Sequence, residues 1–457
     1  MSGPAPKADS LPIAEDVLAR ALDAGATEAE VLVMADDLAL TRFANSEIHQ
    51  NVAETSVSVN LRFVLGRRIA TISTGRSDDA GLADLVERAA AIARTCDELE
   101  DWAGLPGPDP TGPSTGHAAA YAAFATSTAD ATPELRAAGV RAVIAAADEQ
   151  GVLAYGSFTT SREEVAVANS AGIRSHEQRT SAQLLTVHMS PNGGTGYAER
   201  AATDVTNIDP EGIGREAAAR AKATDHPISV PAGDYPVVLE PYAVVDILDM
   251  LGYVGFSGLA VEEGRSFSEP GRRVGSDLVT IIDDGANTSG LPMAFDYEGV
   301  RKERVVLIEN GVCRDVVYDA QTAARASRRS TGHGLPAPNP VGPFPLNMVM
   351  SHGSTPHDEL ISGIDRGLLV TRFHYTNPVH PKLAIITGMT RDGTFLIEGG
   401  KVVAPVRNLR FTQSYLDALA GVSAVGRDLR TLRGSFGAVV VPALRIDSWT
   451  FTGTTEH

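Results

Sequence analysis

Eleven histidines, two cysteines and a surplus of carboxylates are the chain's chemical resources. His176-Glu177 is the one His-Glu pair that could begin a helical zinc motif, but Thr180 and Ser181 stand where the second imidazole would come one turn later. His352 and His357, then His374 and His380, come nearer to metal-ligand spacing. Pro356, Pro378 and Pro381 interrupt the regular elements that would orient them, so they read as loop and strand histidines. Asp296 and Glu298, within Phe295-Asp-Tyr-Glu-Gly299, could do acid–base work or bind a peptide's amino terminus. The adjoining Arg301-Lys-Glu-Arg304 equally reads as a solvated face at the start of a strand. Asn192-Gly-Gly-Thr-Gly196 lacks the Lys and the following helix of a phosphate-binding loop, and reads as a turn between strands. Cys96 falls on an apolar helical stripe, and with Cys313 as the only other thiol there is neither a disulfide framework nor a Cys-built metal cage.

These groups must be positioned by a mixed α+β chain. Ser10 can cap a helix whose Ile13, Val17, Leu18 and Leu22 share a face, with Gly25 to end it. Alternation over Val57–Phe63 predicts a strand, and Gly66 a turn into a second at Arg68–Ile72. Leu82 to Cys96 returns to helical spacing. Four prolines and four glycines between Gly104 and Gly116 predict a linker or long loop. Helix, strands and helix then recur: Leu135–Ala147, strands at Leu153–Phe158, Glu164–Asn169 and Gln183–Met189, and a helix near Ile213–Ala223. Residues 1–228 are therefore taken as an N-terminal α+β domain, built as an α/β-sheet unit of two related halves. Residues 229–457, after the proline-rich segment 226–236, are taken as a strand-dominated C-terminal domain. Its strands are expected at Val237–Leu239, Leu278–Ile282, Arg304–Ile308, Leu368–Arg372, Thr394–Glu398, Lys401–Val406 and Ala438–Ile446. Hairpin turns are expected at Glu309-Asn310-Gly311 and Glu398-Gly399-Gly400.

A net charge of −18 opposes a sequence-independent grip on phosphate backbones, so no nucleic-acid partner is expected. The amino terminus has no apolar core of a secretory signal, and Asp246 and Asp249 interrupt the most apolar stretch, Val244 to Val261. A cytoplasmic protein without membrane contact is the expectation.

From Tyr235 onward the chain resembles the TldD/PmbA family, and its TldE (PmbA) branch more than its TldD branch. The resemblance rests on Phe295-Asp-Tyr-Glu-Gly-Val300, Val306-Leu-Ile-Glu-Asn-Gly311, Ser330-Thr-Gly-His333 and Gly367-Leu-Leu-Val-Thr371. It extends to Asn377-Pro378, Phe395-Leu-Ile-Glu-Gly-Gly-Lys401, Pro405-Val406 and, in the first half, Asn169-Ser-Ala-Gly172. Family members of the TldD kind hold zinc with a helical His-Glu-x-x-x-His motif and a Cys near the carboxyl terminus. The corresponding helix here, Val244 to Gly258, has no histidine: Leu251 and Phe256 occupy the ligand positions and Gly252 that of the general base, and no thiol follows Cys313. The resemblance implies no catalytic residue, metal or cofactor in this chain. It implies a TldE-like, non-catalytic subunit paired with a TldD-like metallopeptidase that carries the zinc, the pair cleaving unfolded or small peptides in an enclosed cavity. Tyr253, Phe256, Asp296, Glu298 and His333 are the peptide-binding cleft residues expected from it. Two other readings stand beside this one. One is a self-sufficient peptidase with a metal at His333, His352, His357, His374 or His380. The other is a protein-binding regulator of a DNA-processing enzyme.

Overall fold

The computed structural model describes residues 10–108, 123–435 and 437–454, so the loop read at 104–116 lies mostly outside the described residues. The first helix spans Ser10–Asp23, and Gly25 follows at φ +95°, a left-handed step that ends a helix at no steric cost. Strands β1 (Glu28–Ala44), β2 (Glu47–Leu65) and β3 (Arg68–Thr74) precede the helix Asp79–Ala93. The pattern then repeats: helix Pro133–Gln150, strands β4 (Leu153–Asn169), β5 (Arg174–Met189) and β6 (Thr195–Ala202), and helix Pro210–Ala223. All six strands form one antiparallel sheet in the order β3-β2-β1-β4-β5-β6.

The two halves meet at the β1–β4 seam, in register from Glu30↔Asn169 to Phe43↔Gly156. Helices Ser10–Asp23 and Asp79–Ala93 bury Val17, Leu18 and Leu85 against Val31, Val33 and Leu61 of one half. Helices Pro133–Gln150 and Pro210–Ala223 bury Val140, Val143 and Ile213 against Phe158, Leu184 and Ala198 of the other. All four helices therefore cover one face, leaving the opposite face to the rest of the chain. Where the sequence predicts two strands at Leu153–Phe158 and Glu164–Asn169, one continuous strand runs through the polar stretch between them, because its side chains face a cleft rather than a turn.

In the C-terminal half five strands close into a ring. Arg366–His380 pairs in parallel with Gly233–Leu239 and antiparallel with Ile385–Glu398; Leu444–Thr454 links Gly233–Leu239 to Leu409–Ser414, which returns to Ile385–Glu398. A second sheet brings together Ile281–Asp283, Val305–Glu309, Met348–Met350, Arg430–Arg433 and Ala438–Val441, with Val312–Cys313 at its edge. The expected hairpins are present: Asn310 and Gly311 take φ +47° and +76°, and Gly399 and Gly400 take φ +55° and +73°, the left-handed pairs that a two-residue connection requires.

Trp449 anchors this half. Fully buried, it stacks on Phe373 with centroids 4.8 Å apart and packs beside Phe411 and Tyr415 at 5.3 and 5.6 Å. Trp449→Ala is expected to cost about 3–5 kcal/mol through lost transfer energy and the cavity left behind. Urea unfolding followed by circular dichroism checks this; a loss below about 1 kcal/mol contradicts a rigid aromatic core.

Candidate functional site

Pro241, pre-set for a first helical turn, opens a helix at Pro241–Val254 that is shorter than the expected Val244–Gly258. The chain breaks at Gly255 and resumes as a short helix at Gly258–Glu262. Aromatic rings explain the glycines. A Cβ on Gly255 would lie 2.1 Å from the Phe267 ring, and one on Gly258 2.5 Å from that of Tyr318. These glycines let rings of the same chain approach the helix closely.

Leu251 and Phe256 are fully buried in the main apolar cluster, and Phe256 meets Phe267 edge-on at 5.3 Å. A Cβ on Gly252 would sit 3.2 Å from Phe344 and 3.3 Å from Met348 and Pro345. None of the three positions has a lone pair or a place to put one, so this helix does not fit a zinc ion. Among the described residues, no group of three or more His, Cys, Asp or Glu side chains could hold a metal ion. His357 bonds Glu240 at 3.0 Å and His352 the Gly353 carbonyl at 2.8 Å, while His374 and His380 lie on the Arg366–His380 strand.

The expected cleft residues are placed otherwise. Tyr253 is 43% exposed on the helix surface. Phe256, Asp296, Glu298 and His333 are enclosed, which corrects the expectation that they face a cavity. Asp296 Oδ1 accepts from the amides of Glu298 and Val300 at 3.0 and 2.9 Å, and Oδ2 from Gly334 at 2.6 Å, so it ties its own loop to a neighbouring one. Glu298 accepts from the Ala320 amide at 2.8 Å and shares Arg62 with Glu30, at 3.6 and 3.4 Å. Burial, then the Asp296 carboxylate, pushes Glu298 upward. His333 lies 2.8 Å from Asp283 Oδ1, with Lys302 3.1 Å from the same oxygen. Burial and Lys302 keep the imidazole below its usual range, so its Nε2–H donates to an ionised Asp283. In each case burial and packing within the protein use up the side chain.

The open chemistry lies between the inner face of the first sheet and the C-terminal half, in a cavity of about 300 Å³. The sheet contributes Asp36, Ser161, Arg179 and Ser181, and the facing loops Tyr297 and Asn347. Arg179 pairs with Glu163 at 2.7 Å and Glu177 at 3.4 Å, under the Tyr297 ring. The runs Thr159-Thr-Ser-Arg-Glu163 and Arg179-Thr-Ser-Ala-Gln183 are polar on nearly every residue, so the sequence offers no clean alternation to mark this wall.

Beside it, a smaller cavity of about 150 Å³ borders Asp246 and Asp249 on the polar stripe of the Pro241–Val254 helix. Asp246 accepts from Thr376 at 2.6 Å and Tyr415 at 2.7 Å, and Asp249 from the Ser435 amide at 2.7 Å. Where the first sheet and its helices meet the C-terminal half, the Tyr242 hydroxyl accepts from Arg200 and Arg430 at 2.8 and 2.9 Å and donates to Glu216 at 2.9 Å. Burial pushes Glu216 up, but the guanidiniums of Arg220, Arg430 and Arg200 outweigh it and hold the carboxylate at about 2.

Burial raises Asp246 and Asp249 each to about 6. A raised carboxylate favours the folded protein while protonated, and that contribution is lost as pH climbs from about 4 through about 6. Each shift corresponds to about 3 kcal/mol at most. Asp246→Asn/Asp249→Asn is therefore expected to flatten the fall in unfolding free energy across that window, read by urea titrations at pH 4.5 and 7. An unchanged fall removes the two carboxylates as its source.

Comparison with known proteins adds three matches to family models. Residues 29–93 match PmbA/TldA metallopeptidase domain 1, residues 125–224 the PmbA/TldA metallopeptidase central domain, and residues 232–453 the PmbA/TldA metallopeptidase C-terminal domain. The chain is 30% identical over 213 residues to a metalloprotease TldD homolog of Buchnera aphidicola subsp. Acyrthosiphon pisum, covering 44% of this chain and 43% of that one. It is 29% identical over 245 residues to a metalloprotease of Methanothermobacter thermautotrophicus, covering 52% of each. The alignments thus span about half the length of these relatives. The fold matches that of TldE from Thermococcus kodakarensis with a TM-score of 0.85 at 20% identity, covering 96% of this chain and 100% of that one. It also matches a Thermotoga maritima protein described as a candidate modulator of a DNA gyrase, with a TM-score of 0.83 at 18% identity, covering 96% and 99%. No described helix is long and apolar enough to cross a membrane.

Proposed function

Because this chain belongs to the PmbA/TldD metallopeptidase family, we propose that it is the family's zinc-free, TldE-like subunit. It docks on a TldD-like subunit that carries the His-Glu-x-x-x-His ligands and the zinc, and helps enclose the space in which small or unfolded peptides are cut. The observation that carries this reading is the hydrocarbon at Leu251, Gly252 and Phe256. Zinc-assisted hydrolysis needs lone pairs for the metal and a carboxylate to take a proton from bound water, and neither is available there. The fold likeness to TldE supports the same choice of branch.

The test is expression of the chain alone and together with a His-Glu-x-x-x-His family member from the same genome, followed by light scattering, zinc analysis and a peptide-cleavage assay. The expected result is a heterodimer with one zinc per pair that cleaves peptides, and a lone chain with neither zinc nor cleavage. Stoichiometric zinc with cleavage by the lone chain overturns the reading, as does recovery from the native extract of a topoisomerase without any metallopeptidase partner.

The motif cannot be rebuilt in place. Gly252→Glu is expected to destabilise the chain by about 3 kcal/mol or more, since it drives a charged side chain between Phe344, Met348 and Pro345. Thermal unfolding reads the loss, and a melt within about 2 °C of the parent protein contradicts the packing described.

A further inference from the structure

One wall of the 300 Å³ cavity carries a carboxylate and a guanidinium moored to neighbouring hydroxyls. Ser161 of β4 and Ser181 of β5 are directly paired in the sheet, about 5 Å apart. Ser161 Oγ donates to Asp36 Oδ1 at 2.6 Å, and Arg433 Nη2 donates to Ser181 Oγ at 2.6 Å. Arg433 enters from the strand Arg430–Arg433, so the two halves of the chain contribute one charge each. Among the described residues neither charge has an ion-pair partner within 4 Å, although Asp36 feels the field of Arg433, and Arg433 the fields of Glu163 and Glu199. Burial pushes the Asp36 carboxyl upward, which marks an acid short of counter-charge.

Two more residues that border the cavity each leave one polar atom without a partner. Asn347 is 6% exposed; its Nδ2 donates to the Leu291 carbonyl while its Oδ1 accepts nothing. Arg179 is 8% exposed, and its Nε donates to nothing. Buried polar atoms are ordinarily paired, so these two orphans mark the wall of the cavity as short of complements for its polar groups.

We propose that this cavity binds a short peptide with both termini free, of about dipeptide size. The ammonium lies on Asp36 and the carboxylate on Arg433. The volume stands at the small end of ligand sites, which excludes a long chain threaded through it. Binding is a property of this chain alone and does not depend on the partner reading; where that reading holds, the cavity receives fragments of the kind that peptide cleavage releases.

Isothermal titration of the full chain at pH 7 with Ala-Ala, N-acetyl-Ala-Ala and Ala-Ala-amide tests the proposal. Ala-Ala is expected to bind, and capping either end to weaken it by about tenfold or more, as loss of a charge-assisted contact does. Asp36→Asn is expected to abolish the preference for a free amino end and leave that for a free carboxylate. Arg433→Gln, at an exposed position, is expected to do the reverse. This crossed pattern distinguishes recognition of the termini from general loss of folding, and circular dichroism confirms that each variant folds. No binding of Ala-Ala at several millimolar, equal binding of the capped forms, or variants that keep both preferences overturn the proposal.

Discussion

Glu216 fixes the two halves of the chain against each other. Its carboxylate, on the last layer of helix over the first sheet, is met by Arg200 from β6, by Arg220 one turn further along its own helix and by Arg430 from the C-terminal half. Tyr242 closes the cluster from the first turn of the Pro241–Val254 helix, and Glu240, just before that helix, takes the remaining charge of Arg220 at 3.6 Å. Removing one member of a buried charge cluster costs far more than adding it contributes, because the others are left unpaired. The orientation of the helix relative to the sheet therefore follows from this cluster, and so does the width of the cleft between them.

Phe344, Phe267 and Tyr318 close on Gly252, Gly255 and Gly258, and this close packing of rings holds the Pro241–Val254 helix and the break after it. The polar stripe of the same helix, Tyr242, Asp246 and Asp249, turns toward the smaller cavity. The helix is a structural strut with one polar edge.

Local signals were legible wherever one residue type suffices. Asn310-Gly311 and Gly399-Gly400 announce their hairpins because few other residues tolerate such backbone angles. The first helix is announced by its spacing, and the doubled architecture by the recurring order of elements. β1 escaped notice because Val31, Leu32 and Val33 are all buried, on both faces of a central strand, so the alternation that marks a strand is missing there. The site was harder still. Asp296 and His333 stand out as reactive types, yet backbone amides and Asp283 occupy them, and occupancy is a property of distant segments. Asp36, Ser181 and Arg433 come from three strands in two halves of the chain, and nothing in their local sequence brings them together.

The first sheet reads the same from either end, and its centre is the seam between β1 and β4. Fourteen consecutive residue pairs there join one half to the other. A fragment holding only β1 to β3, or only β4 to β6, would present a strand of 17 residues as a bare ribbon of amides and carbonyls ready to take up any passing chain. Each half is thus the cap of its twin, and the molecule is guarded against self-templating only while both are made and joined.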